Sequence, residues 1–277
     1  MKWIRGMIIL LCAAVIAFSS WKIYGIQSEY SKGEKAYAEL ETFVVFPSGK
    51  ETSQEIPSAI SPTTQTAEST TIPEETLPTV TVPCPEVNFD ELKRTNSQIV
   101  GWIYVPDTPI SYPVAQAENN EFYLEHIYTG EYNAYGCIFL DCNNKQDFSD
   151  PNSVLYGHNM NNGSMFAGLN QYKKQQFYDD HPYFLLLTPE ANYYVEVFAS
   201  VVMGDWTDAW NTTFADDEEY EKWLSDKVKN SRIQTDVTPT VEDHILTLST
   251  CTYEFTDSRL LVMGRMTQVQ FADFTNN

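Results

Sequence analysis

Basic residues are scarce in this sequence. Its 277 residues include 17 Lys and Arg against 38 Asp and Glu, a formal net charge of -21 at pH 7. Nucleic-acid phosphates attract clustered Lys and Arg, so the composition argues against nucleic-acid binding. Such an acidic chain suits a secreted or surface-exposed protein, in which the charge mainly maintains solubility.

Cysteine is also uncommon, and its five positions form no CxxC pair. An odd count without such a pair argues against a disulfide framework and against a structural zinc site. Cys12 lies in an apolar segment and Cys84 in a proline-rich one, so both are expected outside the folded core. Cys137 and Cys142 are interpreted as packing thiols or partly exposed ones. Cys251 alone lies where catalysis would use it, and we expect no metal or cofactor.

Long apolar runs are missing beyond the N-terminus. Met7 to Phe18 is uninterrupted apolar or small, and weaker apolar character continues to Ile26. About 20 residues are needed to cross the hydrocarbon core, so this segment is sufficient. Lys2 and Arg5 precede the run, which predicts a cytoplasmic N-terminus. An uncleaved signal anchor is favoured, and a cleaved signal peptide is the alternative.

Composition then divides the chain into four parts. Residues 1–28 form the cytoplasmic stub and membrane anchor, and 29–46 have the spacing of a juxtamembrane helix. Residues 47–87 are rich in Pro, Thr, Ser and Glu and are predicted to be an extracellular linker. A flexible linker of this length would reach roughly 35 Å, or about 120 Å if extended. The folded domain is expected over 88–277.

Within that domain, eight short β-prone runs are separated by turn residues, which predicts a mostly β fold, a barrel or a sandwich. The runs are Ile99 to Val105, Ile110 to Val114, Gly136 to Asp141, Ser153 to Tyr156, Tyr183 to Thr188, Asn192 to Met203, His244 to Thr250 and Leu260 to Val269.

Helices are few. Asn88 is a good N-cap for a short helix from Phe89 to Thr95. The clearest predicted helix is Asp217 to Asn230, capped by Asp216, with an apolar stripe of Tyr220, Trp223, Leu224 and Val228. Two further helical stretches are predicted over Asn119 to His126 and Ser164 to Tyr178.

A thiol and a guanidinium lie on consecutive predicted strands. Cys251 ends one β-prone run, a turn follows, and Arg259 opens the next run. Both groups would be held on rigid backbone within reach of one substrate.

A cysteine nucleophile needs a proton-transfer partner, and the chain has only four histidines. His244 lies seven residues before Cys251 on the same strand, roughly 23 Å away at about 3.3 Å per residue. His126 ends a helical run and His181 lies in a turn. His158 ends a β-prone run just before a flexible polar segment, which would present it to a cleft.

These residues form a recognisable pattern. TLSTC at 247–251, Arg259 and YGHNMNNGSMF at 156–166 resemble the sortase family of cysteine transpeptidases, and most of all its class B members. The stretch 100–124 is similar to the first barrel strands of that class. The predicted helix before the last two strands falls where class B enzymes insert one. The resemblance covers about residues 88–270.

The resemblance implies an eight-stranded sortase-type β-barrel with short peripheral helices. It also implies Cys251 as nucleophile, with His158 and Arg259 beside it. Cleavage would occur after a Thr of a C-terminal sorting signal, through a thioester. A peptidoglycan amine would then accept the surface protein, outside the cytoplasm of a Gram-positive cell. Thr250 and Asn159 are candidate substrate-binding residues.

Alternative interpretations stay open at the level of sequence. A pilin-polymerising sortase would use a pilin lysine as acceptor, and a stalked, non-catalytic surface-binding protein would need neither His158 nor Arg259. A papain-like hydrolase is disfavoured, since its cysteine opens a helix and precedes its histidine. Neither the sorting pentapeptide nor the acceptor amine can be read from the residues.

Overall fold

The computed structural model describes residues 2–46, 77–204 and 208–272. Its helices are α1 (Lys2–Ala38), α2 (Phe89–Thr95), α3 (Gln175–Asp180) and α4 (Asp217–Lys229). Short 3₁₀ helices cover Glu39–Thr42, Phe122–Leu124, Ala167–Lys173 and Asp208–Trp210. The strands are β1 (Val44–Val45), β2 (Thr79–Val80), β3 (Glu86–Val87), β4 (Ile99–Tyr104), β5 (Ser111–Ala115), β6 (Ile138–Leu140), β7 (Asn152–Tyr156), β8 (Tyr183–Leu187), β9 (Asn192–Gly204), β10 (His244–Cys251) and β11 (Ser258–Phe271).

Strands β4 to β11 close into an eight-stranded barrel. Their order is β10-β7-β6-β5-β4-β8-β9-β11, and pairing of β10 with β11 closes the ring. Six of the neighbouring pairs are antiparallel, while β10 with β7 and β5 with β6 are parallel. The predicted mostly β barrel is confirmed, and each predicted run matches its strand within two residues at either end.

Helix α4 packs on the outside of the barrel as predicted. Asp216 caps it by accepting from the amide of Glu219, 2.9 Å away. One residue of the predicted stripe is wrong: Val228 is 42% exposed, whereas Lys227 is fully buried. Lys227 can be buried because its ammonium lies 2.8 Å from Asp208 and its charge also faces the Trp223 ring.

Two predicted helices are much shorter than expected. Over 119–126 only the 3₁₀ helix Phe122–Leu124 forms, and the Asn119 side-chain oxygen accepts hydrogen bonds from the amides at 121 and 122. Over 164–178 a 3₁₀ helix and α3 are separated by Lys174, whose backbone is extended (φ -112°, ψ 129°).

Helix α1 is one continuous element where two were expected. It has the length and hydropathy to cross a membrane over Leu10–Ala38. The apolar side chains that the structure describes up to Tyr24 are exposed, whereas Gly33 is buried against the barrel. The helix predicted to reach 46 ends at Ala38 instead, since Val44–Val45 pair with Glu86–Val87.

Residues 77–87, placed in the linker by composition, pack as part of the folded domain. Strand β2 adds to the edge of β11, and Val82 is buried. Cys84 is half-buried against the main core, so its expected place outside the core is wrong. Because β1 pairs with β3, the chain on both sides of 47–76 returns to the same place on the domain. The rest of the predicted linker, residues 47–76, lies outside the described residues.

Candidate active site

Cys251 and Arg259 are direct cross-strand partners. They end the antiparallel ladder between β10 and β11, at the closed end of the hairpin. Thr252 and Ser258 fasten the hairpin, since the Thr252 amide donates to the Ser258 carbonyl oxygen over 3.0 Å and the Ser258 hydroxyl donates back over 2.9 Å. Side chains opposite each other in an antiparallel pair lie on the same face, with Cβ atoms about 5 Å apart. The thiol and the guanidinium therefore belong to one site.

His158 reaches Cys251 from the other side of β10. Strand β7 runs parallel to β10 with Tyr156 opposite Ser249. Continuing that register by two residues brings His158 opposite Cys251. Two side-chain bonds hold this extension: Thr250 Oγ1 donates to the Gly157 carbonyl oxygen (2.8 Å), and Asn159 Nδ2 donates to that of Cys251 (2.9 Å). Neighbouring strands lie about 4.8 Å apart, so three adjacent strands bring the three residues to one level.

The His158 imidazole is oriented by main chain. Its Nε2 lies 2.7 Å from the carbonyl oxygen of Leu124, in the 3₁₀ helix Phe122–Leu124. A carbonyl oxygen can only accept, so Nε2 carries a proton. Nδ1 is therefore the ring nitrogen that remains for proton transfer.

Arg259 keeps its charge available. Nη1 donates to the carbonyl oxygen of its neighbour Ser258 at 3.3 Å, and within the described parts of the chain the guanidinium has no carboxylate partner. Arg265 on the same strand is, by contrast, paired with Glu196 at 2.6 Å. An always-charged, half-buried guanidinium without a counter-ion can bind a carbonyl oxygen that develops negative charge.

Thr250 and Asn159 both face the protein. Thr250 is 2% exposed and its hydroxyl binds the Gly157 carbonyl oxygen. Asn159 is half-buried and holds the Cys251 carbonyl oxygen through Nδ2. These contacts stabilise the junction between β7 and β10, and substrate binding by either residue stays a prediction.

The other histidines are engaged elsewhere. His126 stacks on Phe122, with ring centroids 3.9 Å apart, and His181 stacks on Phe177 at 4.2 Å. The ring of His244 contacts the Asp150 carbonyl oxygen at the opposite end of β10.

The turn between Cys251 and Arg259 is clamped by residues that the sequence did not reveal as part of the site. Glu254 lies 3.0 Å from Lys173 Nζ and 2.5 Å from Arg232 Nη2. Lys173 also donates to the Thr252 hydroxyl. The hydrogen bond from Lys173, with a further one from Arg232, lowers the pKa of Glu254 despite some desolvation. The sequence offered one indication of this contact, namely the charged residue Glu254 in the predicted turn.

Two further contacts were also missed. Trp210 Nε1 donates to Ser249 Oγ, two residues before Cys251, over 3.2 Å. The Leu124 carbonyl oxygen that orients His158 belongs to the backbone, so no side-chain pattern could indicate it. Among the residues that the structure describes, no group of three or more His, Cys, Asp or Glu side chains could hold a metal ion.

The architecture agrees with comparisons to known proteins. A family model for the Sortase domain matches residues 103–267, more than half of the chain. The chain belongs to the sortase family and is a cysteine transpeptidase, with relatives that support a role in cell-wall sorting.

Its relatives are class B members, which confirms the resemblance seen in the sequence. Sortase B of Listeria monocytogenes is 38% identical over 181 residues, 64% of this chain and 72% of that protein. Sortase B of Staphylococcus aureus is 34% identical over 183 residues, 65% of this chain and 75% of that protein. The structure of a Staphylococcus aureus sortase B–substrate complex superposes with a TM-score of 0.63 at 34% identity, covering 66% of this chain and 86% of that one.

Proposed function

We propose that this protein is a membrane-anchored sortase that cleaves a C-terminal sorting signal after a Thr and transfers the acyl group to a cell-wall amine. One observation carries the catalytic assignment: the strand register brings Cys251 between Arg259 on β11 and the His158 extension of β7. A nucleophile, a proton carrier and an oxyanion-binding charge then share one level of the barrel.

In the first half-reaction, the Cys251 thiolate attacks the carbonyl carbon of the substrate Thr. Arg259 binds the oxygen as it becomes negative in the tetrahedral intermediate. The C–N bond then breaks, and protonated His158 gives its Nδ1 proton to the departing amine. A thioester on Cys251 and a free peptide amine are the products.

In the second half-reaction, an incoming amine attacks the thioester. His158 Nδ1 takes its proton while Nε2 stays bonded to the Leu124 carbonyl oxygen. A new C–N bond forms, the C–S bond breaks, and Cys251 leaves as thiolate. A peptidoglycan amine is the proposed acceptor. This choice is supported by the relationship to sortase B proteins, one of which has been crystallised in complex with triglycine.

The proposed anchor is the first part of α1. This helix has 37 residues and is therefore about 55 Å long, whereas the hydrocarbon core of a bilayer measures about 30 Å. The exposed apolar residues up to Tyr24 fit the bilayer, and residues 29–37 contact the barrel. We place the catalytic domain on the outer face of a Gram-positive cell membrane.

The test uses the full chain in detergent micelles, incubated with a library of sorting-signal peptides and examined by intact-mass and peptide mass spectrometry. We expect an acyl adduct on Cys251 that is absent from Cys251→Ala. Arg265→Lys is the control variant and should be acylated like the wild type, because Arg265 lies away from the site. If no peptide acylates Cys251, the cleavage proposal is wrong.

The acceptor is identified by adding competing amines to the acylated enzyme. A glycine peptide, a peptidoglycan stem peptide and a lysine-containing pilin peptide are offered together. We expect transfer to one of the cell-wall amines. Exclusive transfer to the pilin lysine would overturn the anchoring role in favour of pilus assembly.

A further inference from the structure

Residues 29–37 of α1, beyond the apolar stretch, pack on the barrel close to His158. Tyr37 Oη donates to the Gly136 carbonyl oxygen over 2.6 Å. Asn133 Nδ2 donates to the Glu29 carbonyl oxygen (2.9 Å), and Tyr128 Oη donates to that of Ala36 (3.2 Å). Helix and barrel are therefore joined by hydrogen bonds along more than two turns of the helix.

The fit between the surfaces is close. A Cβ on Gly33 would lie 2.5 Å from Tyr135 Cδ2 and 2.9 Å from Asn133 Oδ1, so only glycine permits this approach. The rings of Tyr30 and Tyr37 both pack on Tyr135, with centroids 5.6 Å and 6.0 Å away. Such packing is expected of a built interface rather than of a chance contact.

The loop on which α1 docks contains Tyr135 and Gly136, and it contacts the protein on both sides of the imidazole. The Gly136 carbonyl oxygen accepts the Tyr37 hydrogen bond, and Gly136 itself packs closely against the Leu124 backbone that orients His158. A Cβ there would lie 2.9 Å from the Leu124 carbonyl oxygen and 3.0 Å from His158 Cδ2. On the other side, Asn162, four residues after His158, donates through Nδ2 to Tyr135 Oη over 2.5 Å.

We propose that Tyr37 is a positioning residue of the active site, through which docking of α1 fixes the His158 imidazole. Tyr37 is hydrogen-bonded to Gly136, and Gly136 packs against the Leu124 carbonyl oxygen. That oxygen accepts the hydrogen bond from His158 Nε2. The membrane helix is thereby a component of the catalytic geometry. This inference rests on the proposed catalytic role of His158.

The first test compares Tyr37→Phe with Tyr220→Phe in the full chain in micelles. The Tyr220 hydroxyl is also buried, with its oxygen 2.8 Å from the carbonyl oxygens of Pro151 and Asp243, at the ends of β7 and β10 that lie away from the active site. Both variants lose a buried hydroxyl, so similar falls in melting temperature are expected. Only Tyr37→Phe should lower kcat, by about tenfold with KM unchanged, because small misplacements of catalytic groups are costly.

A second readout does not depend on peptide turnover. In ¹⁵N NMR spectra of the imidazole, the Nε2–H proton bonded to Leu124 should be protected from exchange in the wild type and in Tyr220→Phe. It should exchange faster in Tyr37→Phe. A wild type that shows this protection but cleaves no peptide would count against the proposed function while leaving the positioning role intact.

A further pair of variants acts on the helix itself. Gly33→Ala introduces the clash with Tyr135, whereas a Cβ at Gly25 on the same helix meets nothing within 4 Å. We expect a lower kcat for Gly33→Ala and a wild-type value for Gly25→Ala. Wild-type kcat and His158 spectra in both Tyr37→Phe and Gly33→Ala would overturn the proposal.

Discussion

His158 is oriented by the carbonyl oxygen of Leu124, 2.7 Å from its Nε2. In the described parts of the chain, no carboxylate bonds to this imidazole. Backbone thus does what a carboxylate does in many cysteine and serine enzymes, namely fixing which ring nitrogen is protonated. The site therefore depends on the positions of main-chain segments.

Gly136→Ala should impair catalysis more than stability alone would explain. The added methyl would meet the carbonyl oxygens of Tyr123 and Leu124 and the His158 ring, and φ is +62°. Gly130→Ala is the matched control, with φ +85° and open space around its Cβ. Because alanine is disfavoured in the left-handed region, the free energy of unfolding should fall by about 1 kcal/mol in both variants. Only Gly136→Ala should lower kcat at least tenfold, and equal activities of the two variants would contradict this account.

Arg259→Lys should lower kcat by about 10²-fold, because lysine retains the charge but lacks the planar fork that binds an oxyanion. Arg265→Lys, six residues along the same strand, should leave kcat unchanged, since Arg265 pairs with Glu196. Steady-state peptide cleavage measures both. Near-normal turnover of Arg259→Lys would remove Arg259 from oxyanion binding.

Thiol labelling should separate the candidate nucleophile from two packed cysteines. Burial raises the pKa of both Cys84 and Cys137 to about 12. Thiolate is the reactive form, so at pH 8 each should react about a thousandfold more slowly than an ordinary thiol. With N-ethylmaleimide and peptide mapping, Cys251 should be modified while Cys84 and Cys137 remain unlabelled until unfolding. Labelling of Cys137 as fast as Cys251 would contradict the packing.

The clamp on Glu254 predicts an acid-dependent loss of stability. Its pKa in the folded protein is lowered below the ordinary value of 4.5, first by the Lys173 hydrogen bond. The carboxylate therefore stabilises the fold above that value, and the contribution disappears as pH falls through the folded pKa. Glu254→Gln should lower the melting temperature at pH 7 but match the wild type in strong acid. Glu221→Gln, at an exposed position on α4, should change neither, and a pH-independent effect of Glu254→Gln would refute the linkage.

The sequence predicted the barrel because each strand is a compact β-prone run between turn residues. It predicted His158, Cys251 and Arg259 as candidates from their places at strand ends together with the family pattern. Cys251 and Arg259 lie on a local hairpin, and the sequence already placed them together. The position of His158 beside Cys251 could not be read, since it depends on the pairing of β7 with β10 across a long sequence distance. The Leu124 carbonyl oxygen was equally hidden, because a backbone acceptor has no residue signature.

Other misses have local causes. Helical spacing near Val228 did not reveal that Lys227 could be buried by ion pairing with Asp208. The proline-rich composition around Cys84 is typical of a linker. In the structure, however, the segment forms β2, which pairs with β11, and β3, which pairs with β1. Local composition does not record such tertiary pairing.

Docking of α1 on the barrel also restricts where the enzyme can work. With the apolar part of α1 in a bilayer, the cleft would stay at one height above the lipid headgroups, whatever the length of 47–76. Substrates would then be met by lateral diffusion within the plane of the membrane. The enzyme would act as a two-dimensional reactant, and the frequency of encounters would depend on surface density rather than on volume concentration.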